Sequence, residues 1–333
     1  MRPASDTPES TLIIPFAHAS AEACQAALKT LALPHLSQLL GRWHAGPRDT
    51  QDDYTLTPPH ERALGWALGW TDPGDGRWPW AAWHAARPQV PCAWLTPCHW
   101  SVGMEQVTVL PPDGLDLTEA ESVALLEALQ PWAREDGLTL VLESPTRWRA
   151  EGEPLRDLAC ASLDRVAHRR ADAWLPQHQH GPGARLMLRL QNEAQMLFYQ
   201  HPVHDARQAR GVLPINGFWV SASGVWDGQA PRDPATTVRV DTSLRAPALE
   251  GDWATWAQAW RTLDETVIGP WLQTVSAPPN QPRQLVLCGE QGWASWQSAA
   301  PTGQPRVARP WWQRWWRPAA RQAVTPLSTL SAL

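Results

Sequence analysis

The chain has 333 residues, 43% of them hydrophobic, and a formal net charge of -5, which gives room for one large domain or two ordinary ones around a substantial core. The acidic balance supplies no basic field for a phosphate backbone. No run reaches the roughly 20 apolar residues of a membrane span, and "MRPASDTPES" lacks the apolar core of a signal peptide. Neither nucleic acid nor a membrane is therefore an expected partner, and the expected location is the cytoplasm.

In chain order, "TLIIPF" (11 to 16) reads as a buried strand, followed by helices over 20 to 32 and 34 to 43. The polar stretch 44 to 61, rich in Pro and Asp, reads as a loop, with a helix over 60 to 69 after it. Strands are expected near 91 to 96 and 104 to 110. "LTEAESVALLEALQPW" carries Thr118 as N-cap with Glu121 three residues on, a capping box that predicts a helix. A strand over 138 to 144 follows, continued or returned by "PTRWRAE". The stretch 151 to 183 reads as loose connections. Residues 184 to 200 form an amphipathic helix limited by Pro202. "INGFWVSAS" and "TTVRVDT" read as strands, "WATWAQAWRTLDETVIGPWL" as one long helix and "RQLVLCG" as a last buried strand.

Twenty-three Trp stand against 2 Tyr and 3 Phe. Most suit a core, because a large ring buries much apolar area and needs one partner for its N–H. The tight cluster "PWWQRWWRP" (310 to 318) reads either as a docking terminal helix or as an exposed interaction patch. The five cysteines, Cys24, Cys92, Cys98, Cys160 and Cys288, are scattered and odd in number, so they read as free thiols in a reducing compartment.

Several clusters carry potential chemistry. His201, His204 and Asp205 suit a metal or an acid–base pair if the segment is helical. The alternative is that Pro202 breaks the helix, His204 or Asp205 caps the next one, and Arg207 and Arg210 pair with acids. His178 and His180 sit in a Gly- and Pro-rich loop that would hold a metal loosely. Cys92, Cys98 and His99 match no common zinc spacing. His60 and Glu61 follow two prolines and read as a helix start, with Glu61 favourable beside the helix N-terminus. Arg147 has the fork that suits a phosphate or carboxylate, and Asn216 and Trp219 lie at the end of an expected strand. Those three form an expected ligand-binding set for a small phosphorylated or carboxylated metabolite, the alternative being a surface Arg and a core Trp.

"EAQMLFYQHPVHDARQARGVLPINGFWVS", with "CHWSVGMEQVTVLPPDGLDLTEAES" and "SPTRW", resembles the bacterial RpfE-type regulatory proteins, often labelled cofactor-independent phosphoglycerate mutases. In order, "TLIIPFAHAS", "LPHLSQLLGR", "WALGWTDP", "LTEAESVALLEAL" with "ESPTRW", "LPINGFWVSASG", "LDETVIGPWL" and "RQLVLCG" are similar to segments of the archaeal-type mutase of the alkaline phosphatase superfamily. The resemblance implies an α/β fold, an alkaline-phosphatase-like sheet flanked by helices with an inserted α+β subdomain. The expected parts are 1–98 and 184–309 for the core, 99–183 for the insert, and 310–333 for a Trp/Arg-rich terminal segment.

Such enzymes need two divalent metals, held by Asp and His, that activate a serine. Here Phe16 stands where the first strand delivers an Asp, and His60 and Glu61 replace a Ser-Asp pair, which by the resemblance sets a histidine able to take a phosphoryl group at the nucleophile's place. Gly289, Glu290 and Gln291 replace Asp-His-Pro, and "LEGDW" replaces His-Asp-Gly. The expectation is a non-catalytic regulatory or ligand-binding protein with no resident cofactor, a pseudoenzyme of the mutase fold. The alternatives are an active phosphoglycerate mutase or phosphatase with a rearranged manganese or zinc site using His201 and His204, and a protein-interaction module using the terminal segment.

Overall fold

A computed structural model describes residues 10–103, 107–175, 181–228, 237–273, 283–298 and Leu330. The expectations for His178, His180 and the segment 310–333, Leu330 apart, lie outside these residues.

The chain opens with β1 (Thr11–Ile14), buried along its whole length, then α1 (Glu22–Thr30) and α2 (Pro34–Arg42). The stretch read as a loop from residue 44 contains a strand, β2 (His44–Thr50). Its polar, exposed pattern gives no alternation to read, because it lies at the margin of its sheet. Next come α3 (Pro59–Ala67), α4 (Trp80–His84), β3 (Pro91–Val102) and β4 (Val107–Leu110). Helix α5 (Glu119–Glu135) starts at the expected capping box: Glu121 N–H donates to Thr118 Oγ1 (3.3 Å), and Thr118 N–H to Glu121 Oε2 (3.0 Å).

Strands β5 (Thr139–Ser144) and β6 (Arg147–Glu151) form an antiparallel pair, so "PTRWRAE" returns the strand. The short α6 (Leu163–Val166) lies in the stretch read as loose connection. Then follow α7 (Pro182–Gln200), α8 (Pro202–Ala209), β7 (Gly217–Val225), β8 (Val238–Val240) and α9 (Arg245–Glu250). The single long helix expected near the end is instead α10 (Trp253–Leu263), a π-helical turn (Asp264–Ile268) and α11 (Gly269–Gln273). Strands β9 (Gln284–Cys288) and β10 (Gly292–Gln297) complete the described elements.

The chain divides into two compact units, the first made of 1–53, 62–70 and 231–333, the second of 54–61 and 71–230. The expected boundary at 98/99 falls inside β3, and that at 183/184 inside α7. The reason is strand pairing: β7, assigned from sequence to the core, pairs antiparallel with β3. Alternating strands and helices do not reveal which strands share a sheet.

The first unit holds a five-stranded sheet of order β2-β10-β9-β1-β8, in which β1 is parallel to both β8 and β9, and β10 and β2 return antiparallel. Side-chain alternation splits the central strands between two cores. Leu12, Ile14, Leu285 and Leu287 pack with Leu36, Trp256, Trp260 and Leu263 of the helices. Ile13, Val286 and Cys288 pack with Ala63 and Trp66 of α3. A strand with helices on both faces must be apolar throughout, as β1 is.

The second unit holds an antiparallel sheet, β4-β3-β6-β5 with β7 also on β3. On one face Leu95, Trp148, Ala150, Phe218 and Val220 meet α5 and α7. Two sheets flanked by helices make the chain a mixed α/β protein.

Candidate functional site

In an open α/β sheet a ligand sits beyond the carboxyl ends of the parallel strands, where β1, β8 and β9 of the first unit end. Past β1, Phe16 takes a left-handed φ of 56°, and its carbonyl accepts the Trp256 indole N–H (2.9 Å). Ala17 N–H donates to Cys288 O (2.8 Å), tying the two strand ends together. Past β9, Glu290 accepts from Ser20 N–H (2.8 Å). Near it, burial pulls the His18 imidazole below its usual range against the pull of Glu290 and the Gln25 side chain. Past β8, Asp241 accepts from Ser243 N–H (3.1 Å) and from Arg239 (3.0 Å).

These donors do not fit a two-metal site. Phe16 offers no ligand atom from its side chain, and the carboxylates of Glu290 and Asp241 are occupied by protein donors. Among the described residues no three His, Cys, Asp or Glu side chains converge as a metal ion requires. In "LEGDW", Gly251 closes α9 in a left-handed conformation and Asp252 caps α10 through Thr255 N–H (3.0 Å), a helix break in place of ligands. A groove of about 370 Å³ is lined by Ser243, Thr255, Gln258, Thr262 and Thr266 together with the apolar Ala259, Leu263 and Val267. Thr262 and Thr266 spend their single hydroxyl protons on backbone carbonyls of α10, so they present acceptors, a poor match for an anion.

The second unit gathers a denser polar cluster. His60 Nε2 lies 3.2 Å from Asp164 Oδ2. Glu61 accepts from Ser162 Oγ (2.5 Å) and from the Trp80 indole (3.2 Å). Burial raises the Glu61 carboxyl above its usual range, with His60 and the Ser162 bond opposing. Asp75 accepts the backbone N–H groups of Leu56 and Thr57 (both 2.9 Å) and fixes the approach to α3. The sequence singled out His60 and Glu61. It gave no sign of Ser162 and Asp164, whose only local signal is the Ser-x-Asp of a short helix cap.

The other candidates resolve separately. His201 is the N-cap of α8, its Nδ1 accepting from Val203 N–H (3.2 Å), with Pro202 in the first turn. The cap is thus His201, where His204 or Asp205 was expected. His204 packs against Tyr199 (5.0 Å between centroids) and Asp205 is exposed. Arg207, fully buried, and Arg210 both pair with Glu121.

Arg147 lies over Trp94 (4.6 Å), pairs with Glu143 (3.2 Å) and keeps 32% of its side chain exposed. Asn216 bridges the backbone of Trp100, accepting its N–H (2.7 Å) and donating to its carbonyl (2.9 Å). Trp219 is buried and donates to Ala161 O (2.9 Å). In register, Trp219 opposes Thr96 of β3, so it belongs to the sheet packing. Cys92 and Cys98 are buried thiols, and His99 Nδ1 is bonded to Pro214 O (2.8 Å).

No family model and no curated protein matches the chain. Among solved structures it is similar to a cofactor-independent phosphoglycerate mutase from Thermoplasma acidophilum, at 13% identity, over 89% of this chain and 90% of that one, with a TM-score of 0.35. It is also similar to the PH0037 protein from Pyrococcus horikoshii, at 10% identity, over 88% of each chain, with a TM-score of 0.46. Both likenesses are distant.

Proposed function

We propose that this protein is a non-catalytic, regulatory ligand-binding protein on a mutase-like scaffold. The observation that carries the reading is the self-satisfied edge of the first sheet, where Phe16, Glu290 and Asp241 are each engaged by the protein's own groups. A serine without metals keeps its ordinary high pKa and is a weak nucleophile, so phosphoryl transfer by the mutase route has no support in these residues. For the ligand, the face bearing Arg147 supports a small phosphorylated or carboxylated metabolite. Arg87, Arg147 and Arg149 outnumber Glu143 and Glu151 there, leaving an excess of guanidinium suited to an anion.

A coupled phosphoglycerate mutase assay at high protein concentration, with and without manganese, tests the reading. No turnover from folded protein is expected, together with a rise in melting temperature on adding 3-phosphoglycerate that Arg147→Gln removes. Turnover dependent on manganese would overturn it.

A further inference from the structure

Two consecutive residues in the first turn of α3, His60 and Glu61, reach two residues at the start of α6, Ser162 and Asp164. The two segments are far apart in sequence. Ser162 is further tied by its own N–H to Leu56 O (3.1 Å) and accepts from Asp164 N–H (3.4 Å) as the cap of α6. Both cross-links are side-chain contacts, and they share one short partner segment.

We propose that the first turn of α3 and the start of α6 form a proton-controlled latch, closed at mildly acidic pH and loosened as pH rises. The physical reason is the charge count. The cluster holds two carboxyls and one imidazole. With Glu61 neutral, Asp164 faces no second negative charge from it, and the Glu61 oxygens take the Ser162 O–H and the Trp80 N–H. Loss of the proton from Glu61 leaves two carboxylates close together in a partly buried place, which repel.

The sign is fixed by Glu61, whose carboxyl is raised by burial first of all. A raised acid stabilises the folded form below its unfolded value, and that stability is lost as pH climbs through the folded value.

The other charged groups around the cluster have partners of their own. Arg165 sends Nη2 to Thr57 O (3.3 Å) and lies 5.9 Å from Trp174. Asp75 is occupied by backbone amides. Burial pushes the Cys160 thiol up to about 11, so it stays neutral throughout. The next residue of α3, Arg62, turns to Asp49 (2.6 Å). The latch is independent of what the protein binds.

Amide hydrogen exchange read by mass spectrometry on the whole protein, from pH 5.5 to 8.5 and corrected for the intrinsic rate, tests it. Peptides spanning 56–64 and 160–167 are expected to lose protection by about tenfold or more across that range, while peptides of β1 and β9 stay constant. Glu61→Gln, neutral at every pH with an N–H for Ser162 and a carbonyl for Trp80, is expected to flatten the dependence. Constant protection of both peptides in the wild type overturns the latch even if no variant folds, and so does an equal loss in Glu61→Gln.

Discussion

At Asp264 a single carboxylate joins two elements of the first unit. It stands in the π-helical turn, is 1% exposed, and accepts N–H groups from His35 (3.1 Å) and Leu36 (2.7 Å). Those are two of the orphan donors at the start of α2, where Leu33 supplies no side-chain cap. A distant residue does the work of an N-cap. Asp264→Ala strands both amides and is expected to cost about 2 kcal/mol, read by chemical denaturation. Burial raises this carboxyl, against the two amides. Relative to Asp264→Asn, the wild type is thus expected to be most stable below the ordinary aspartate range and to lose that advantage as pH rises through the folded value. Nothing local announces this residue. "TLDETV" reads as an ordinary helix interior because the partners of Asp264 lie 228 and 229 residues away, and Ser162 stayed unread for the same reason, with its partner Glu61 101 residues away.

Helix α5 shows how an element is anchored at its start. Its capping glutamate, Glu121, also receives the fully buried Arg207 of α8 (3.0 Å) and the exposed Arg210, the C-cap of that helix. Removing one partner of a buried pair leaves the other charge uncompensated. Glu121→Ala is expected to cost about 3 kcal/mol or more, and Glu121→Gln with Arg207→Met together much less, measured as a double-mutant cycle. Burial opposes ionisation of Glu121, but the Thr118 and arginine bonds outweigh it and the carboxyl ends below its usual range. Its stabilising effect is present above the unfolded value and fades as pH falls through the folded one. The cap itself was legible in the sequence, since Thr-x-x-Glu before an apolar stripe is a local signal. Strand β1, strand β5 and helix α7 were legible for the same kind of reason. Strand β2 was not, because "HAGPRDT" has neither alternation nor β-branched side chains and owes its conformation to β10. The pairing of β7 with β3 was hidden likewise, because register across more than a hundred residues leaves no periodicity behind.

Across the whole molecule the sulfur chemistry follows from burial. All five cysteines are buried and free, and burial raises the thiols of Cys98 and Cys288 above their usual range and that of Cys92 to about 11. A thiol reacts as its thiolate. A thiol-specific disulfide reagent is expected to find almost no reactive cysteine in the native protein and five in denaturant, with no change in melting temperature under mild oxidant. Fast native labelling of one or more would show that a buried position opens readily. The aromatic content has a similar cause: Trp148, Trp219, Trp256 and Trp260 are all among the fully buried side chains, which is how the low count of Phe and Tyr is compensated. Among the described residues no helix is long and apolar enough to cross a membrane.

Strand β2, unreadable in the sequence, is an outer strand of the first sheet among the described residues. An uncovered outer strand is a template on which a second copy can add its own strand, the first step toward fibrils. Here that strand carries Pro47, which has no N–H to offer, flanked by Arg48 and Asp49. The features that hid β2 from a pattern search also keep the sheet from growing by recruitment at that margin.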